Sequence, residues 1–66
     1  MRKTIPRLFA DITATLEDMH AIAVDGQSRD NTPDMQRVLV CQLRMRSVAL
    51  DAALARIKQR LGEHHE

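Results

Sequence analysis

The residues able to do chemistry are few and scattered. Glu17 and His20 stand at Glu-x-x-His spacing, the pattern that supplies metal ligands in di-iron four-helix bundles. That chemistry needs both side chains in the core and carboxylates arriving from other helices. Glu17 falls opposite the face carrying Ile12 and Met19, and the second half of the chain offers no inward carboxylate. The pair therefore reads as surface, with His20 at a boundary. Cys41 is the sole cysteine. A catalytic thiolate needs access and a lowered pKa, commonly from a helix N-terminus or a neighbouring histidine. Cys41 lies more than two turns into a helix, between Val38 and Met45, and reads as a buried structural thiol although Arg37 and Arg44 are one turn away. His64 and His65, between Glu63 and Glu66, read as a polar tail rather than a chelate. There is no Gly-rich phosphate loop, nucleophile elbow or carboxylate pair. No catalytic residue, metal or cofactor is expected, and the chain reads as a non-enzyme.

The basic residues are the one group with a binding chemistry. Arg37, Arg44 and Lys58, with Asp51 among them, form a row at sevenfold spacing; Arg46, Arg56 and Arg60 lie on the other flank. Arginine grips phosphate bidentately, and a basic helix face is an electrostatic footprint for anions or nucleic acid. Against that stand a net charge of only +1 and a single aromatic residue, Phe9, so no stacking platform exists. Charges flanking an apolar seam are ordinary in helical bundles. Solvated or ion-paired flanks are the favoured reading, and nucleic-acid binding the alternative.

Two helices must position all of this. Thr4 can cap a first helix over about 4–25, with Pro6 in its first turn where a missing N–H is harmless. Its apolar rows are Ile5, Ile12, Met19; Leu8, Thr15, Ile22; and Phe9, Leu16, Ala23. They are adjacent on a helical wheel and form one broad core face. Ala10, Ala14, Glu17 and Ala21 lie opposite. Asp25-Gly26 ends the helix, with Gly26 suited to a left-handed cap, and 26–32 is loop. Thr32-Pro33-Asp34 restarts the chain as N-cap, first helical residue and dipole-favoured acid. Helix 2 then spans about 33–61, Gly62 stops it, and 62–66 is tail.

Helix 2 is apolar on two sides. One stripe runs Val40, Leu43, Ser47, Leu50, Leu54, Ile57, Leu61; the other runs Val38, Cys41, Met45, Val48, Ala52, Ala55. One stripe suffices to pack on helix 1, so the second implies a second neighbour.

Size points the same way. A chain of 66 residues holds one domain, and at that length only roughly 60% of the unfolded surface is buried. A disulfide, a metal or oligomerisation usually makes up the shortfall. One cysteine excludes an intrachain disulfide, and no Cys/His set has zinc-ligand spacing. Oligomerisation remains. Helix 1 is acidic (Asp11, Glu17, Asp18 and Asp25 against Arg7) and helix 2 is basic, which suits antiparallel pairing within or between chains. No apolar run reaches the ~18–20 residues of a membrane span, no signal-peptide core follows Arg2-Lys3, and an unpaired cysteine fits a cytoplasmic setting.

In length and hairpin layout the chain resembles Rop, the family of plasmid RNA-modulating proteins that form dimeric four-helix bundles. The resemblance implies binding of paired RNA loops through basic and polar residues with a phenylalanine on helix 1. Phe9, with Arg2, Lys3 and Arg7 nearby, would take that role. The likeness stops at layout: Phe9 belongs to the broad core face, and the rest of helix 1 is acidic.

The expected fold is thus all-α, a two-helix antiparallel hairpin dimerising into a four-helix bundle. The expected function is a small oligomeric protein-interaction or regulatory module, its partners being another copy and possibly a second protein, with no membrane. Its interface should draw on Val38, Cys41, Met45, Val48, Ala52, Leu54, Ile57 and Leu61. Nucleic-acid or anion binding through Arg37, Arg44, Arg46, Arg56, Lys58 and Arg60 is the alternative.

Overall fold

The computed structural model describes residues 2–63. The expected tail residues His64, His65 and Glu66 lie outside them. The described residues form two helices and no strand: α1, Ile5–Gly26, and α2, Pro33–Glu63. They fold back as an antiparallel hairpin.

Both helices start on a threonine. The Thr4 hydroxyl accepts from the Arg7 N–H at 3.3 Å, and the Thr32 hydroxyl accepts from the Met35 N–H at 3.1 Å. Each satisfies a backbone donor that the first turn cannot. Between them, Ser28 Oγ accepts from the Asp30 N–H at 3.2 Å, and the Asn31 side-chain amide donates to the Asp25 carbonyl at 2.8 Å. That last bond ties the loop to the end of α1.

Two helix ends differ from the sequence expectation. Gly26 is the last residue of α1 and does not have positive φ. The chain instead leaves through Gln27 in the right-handed region, its N–H bonded to the Val24 carbonyl at 3.0 Å. With Asn31 covering the Asp25 carbonyl, a left-handed cap is unnecessary. Gly62 does not stop α2 either, which continues to Glu63; its φ is not positive, so nothing local turns the helix off there.

The hairpin seam follows a strict alternation of three and four residues. On α1 the inward positions are Ile5, Leu8, Ile12, Thr15, Met19 and Ile22, of which Leu8 and Ile22 are buried. On α2 they are Leu39, Leu43, Arg46, Leu50, Ala53, Ile57 and Arg60, with Ile57 buried. This is the heptad seam of an antiparallel coiled pair. The register is fixed at three levels. Arg60 donates to the Lys3 carbonyl, Arg46 lies beside Asp18, and Gly26 faces Leu39.

The seam corrects the expected first stripe of α2. Leu43, Leu50 and Ile57 do face α1, but Val40, Ser47, Leu54 and Leu61 are exposed. Leu39, Arg46, Ala53 and Arg60 take their place. On α1, likewise, only two of the three apolar rows face inward; Phe9, Leu16 and Ala23 are exposed. A two-helix contact is about two rows wide, so a third row on either helix must lie outside it.

Candidate interaction surface

The seam has a polar centre. Arg46 occupies an inward position, with Thr15 inward on α1 near the same level. The Thr15 hydroxyl donates to the Asp11 carbonyl at 3.0 Å, so it satisfies itself within α1. Arg46 fares less well. Its Nε is buried without a hydrogen-bond partner and stands 3.9 Å from Asp18 Oδ2; a terminal nitrogen donates to the Gln42 carbonyl at 3.5 Å. Its aliphatic stem fills the seam while the guanidinium reaches toward the edge.

That edge is the charged side of the hairpin. Lys3 Nζ donates to Asp11 Oδ2 at 2.5 Å. The Lys3 hydrogen bond, with the positive charges of Lys3, Arg7 and Arg56, holds the Asp11 carboxyl below its ordinary value against some desolvation. Asp11 and Asp18 each precede an inward residue of α1, and Gln42 and Arg56 each precede one of α2. In an antiparallel pair, residues one step before the seam emerge together.

The residues one step after the seam emerge together on the opposite side. On α1 these are Phe9, Leu16 and Ala23, following Leu8, Thr15 and Ile22. On α2 they are Val40, Ser47, Leu54 and Leu61, following Leu39, Arg46, Ala53 and Arg60. None is charged. Phe9 is 53%, Leu16 50% and Leu54 49% exposed. From the register, Phe9 is level with Leu54, Leu16 with Ser47 and Ala23 with Val40. Apolar periodicity alone assigns these residues to the rows that pack helix on helix, with Leu54 and Leu61 also expected at the oligomer interface. Their +1 relation to the seam appears only once Arg46 is known to lie within it.

A second apolar surface lies on the back of α2, away from α1. Met45 is 65% and Val48 69% exposed, with Val38, Cys41, Ala52 and Ala55 exposed around them. Within one chain the Cys41 thiol is exposed, and its apolar neighbours are uncovered with it. Ile57, expected at an oligomer interface, is buried against α1 within the chain. An open cleft of about 770 Å³ adjoins the loop, where the first turns of α2 run past the end of α1, lined by Val24, Gln27, Asn31, Met35, Val38 and Leu39 among others.

The candidate chemical residues are not brought together. Glu17 and His20 are both exposed on α1. Among the described residues no cluster of three or more His, Cys, Asp or Glu side chains is placed to hold a metal ion. Nor is any described helix long and apolar enough to cross a membrane. Three of the candidate basic residues are engaged within the chain. Arg37 pairs with Asp34 at 2.6 Å, Arg46 is in the seam, and Arg60 donates to the Lys3 carbonyl. Arg44, Arg56 and Lys58 are exposed, with Arg56 acting on Asp11. The basic flank is thus divided, not gathered into one patch.

The chain matches no protein-family model, no curated protein and no solved structure. Any functional reading must come from the surfaces themselves. They are an apolar side bordered by charge, a second apolar face on the back of α2, and an opposite side held by ion pairs.

Proposed function

We propose that this protein is a non-enzymatic self-associating module, a helical hairpin that assembles with further copies of itself and acts by contacting another protein. The observation that carries the reading is how little one chain buries. Among the described residues only Leu8, Ile22 and Ile57 are buried apolar side chains, and none is almost wholly enclosed. Ten large apolar residues among those described are exposed, including Phe9, Leu16, Met45, Val48, Leu54 and Leu61. Scattered exposed apolar side chains are normal, but rows of them along two faces mark contact surfaces. Two hairpins joined through such a face make a four-helix bundle with a closed core.

The divided basic flank weighs for this reading over nucleic-acid binding. With Arg37 paired to Asp34 and Arg46 in the seam, fewer guanidinium groups are aimed at a common phosphate track. Sedimentation equilibrium at micromolar concentration tests the proposal. A mass of at least twice the 7.5 kDa chain is expected. A folded monomer would refute it. In parallel, electrophoresis with duplex and hairpin RNA and DNA at low salt should show no shift. A complex that weakens by ~10³-fold or more into moderate salt would establish phosphate binding instead.

A further inference from the structure

Two apolar surfaces compete for the second copy, and the structure distinguishes them. We infer that the second copy docks on the side formed by Phe9, Leu16, Ala23, Val40, Leu54 and Leu61, turned end for end, and that the back of α2 stays outside this contact. The inference rests on the self-association proposed above and names the surface that does it.

Charge placement is the first argument. The opposite side holds Asp11 with Lys3, and Asp18 beside Arg46; covering it would strip water from four charged groups. The docking side has no charge along its centre. Its α2 edge carries Arg44, Asp51 and Lys58, all exposed, so the surface has an apolar middle and a polar rim. That is the anatomy of a protein interface.

Area is the second. The 22 residues of α1 run ~33 Å. The hairpin is 19 Å across. A flat strip of those dimensions is ~600 Å², and side-chain relief raises its accessible area toward the ~800 Å² each partner contributes to a stable complex. The apolar stretch on the back of α2, Val38 to Ala55, is one helix wide and ~27 Å long, and offers about half as much.

Shape is the third. A two-fold contact must be complementary to itself. Along this side the bulky pair Phe9 and Leu54 lies at one end, Leu16 and Ser47 share the middle, and Ala23 and Val40 lie at the other. A copy turned end for end sets Phe9 over the partner's Ala23, which keeps the gap between hairpins even. A copy laid in the same direction would stack bulk on bulk at one end and leave a void at the other.

The test is sedimentation equilibrium with circular dichroism on Leu16→Asp, Leu54→Asp, Met45→Asp and Val48→Asp. All four positions are exposed in the hairpin, so each places a charge where the single chain tolerates it. The first two should weaken dimerisation by at least 100-fold and the last two by less than threefold. Phe9→Ala and Ala23→Phe should each weaken the dimer, while Phe9→Ala/Ala23→Phe together recover at least tenfold of the loss, whether or not the Asp variants stay folded. If the wild-type chain dimerises but Met45→Asp or Val48→Asp breaks the dimer as strongly as Leu16→Asp, the docking surface is wrong and self-association stands. Failure of the double variant to recover overturns the end-for-end arrangement. A monomeric wild type removes the proposal beneath both.

Discussion

Replacing Arg46 with leucine should make this protein more stable. Arg46 occupies a seam position, yet its Nε is buried without a hydrogen-bond partner. A buried donor left unsatisfied costs ~1–3 kcal/mol. What Arg46 gains in return is small. The Asp18 carboxylate is 3.9 Å away and largely exposed, an ion pair worth ~0–1 kcal/mol. A leucine side chain contributes ~1.5–3 kcal/mol when fully buried, and at a site where the arginine side chain is 38% exposed about 1–2 kcal/mol of that is available. The aliphatic stem of arginine already captures part of it, so the net gain is about 1–3 kcal/mol. For a chain of this size each kcal/mol moves Tm by ~4–8 °C. Thermal unfolding followed by circular dichroism, at one fixed protomer concentration, should therefore show a rise of at least ~5 °C. Arg46→Lys, which keeps charge without the planar fork, should fall below Arg46→Leu. If Arg46→Leu lowers Tm, the guanidinium has an acidic partner outside its own hairpin, and the description of an under-satisfied seam is wrong.

Two further outcomes follow from the helix ends and the charged side. Gly26→Ala should stabilise by ~0.4–1 kcal/mol, because Gly26 has no positive φ and an added Cβ would meet only Leu39 Cδ1 at 3.9 Å; a loss of more than 1 kcal/mol in chemical denaturation would mean the residue is left-handed after all. Asp11 is held below its ordinary 3.8 by Lys3, Arg7 and Arg56, so it stabilises the fold above that value and the contribution disappears as pH falls through the lower folded-state value. Asp11→Asn should accordingly flatten the acid limb of a Tm-against-pH curve below pH ~4 while leaving its shape near neutrality unchanged; an acid limb as steep as wild type would remove Asp11 from the account.

The two helices and their starts were legible because their signals are local. Thr4 with Pro6, and Thr32 with Pro33 and Asp34, specify helix beginnings within four residues, and both hydroxyls cap as their positions imply. The end of α1 was not legible, because its carbonyl partner, Asn31, sits six residues away in the loop. The rotation of α2 was harder still. Val40, Leu54 and Leu61 are as apolar as any seam residue, and hydrophobicity alone cannot say which of two neighbouring apolar rows faces its own chain. Arg46 disguises the true row by placing a charge in its middle. Only the three-dimensional register, with Lys3 at Arg60 and Gly26 at Leu39, shows which row is inside.

The distribution of side chains between seam and surface bears on why a hairpin this small exists at all. Its seam holds a threonine, an alanine and two arginines, while a phenylalanine and three leucines lie one step outside. A chain whose stability came from the hairpin alone would gain by exchanging them, since each leucine moved from half exposure to burial contributes roughly 1 kcal/mol. Instead the seam carries polar residues at its middle and end, and the larger apolar residues lie on a side that one chain leaves exposed, which the proposed self-association would cover. Polar seam positions specify alignment at a cost in stability. In such an arrangement folding and docking draw on the same apolar surface, so stability should rise with protomer concentration. The row that a monomer leaves in water is, on this argument, the larger part of the core.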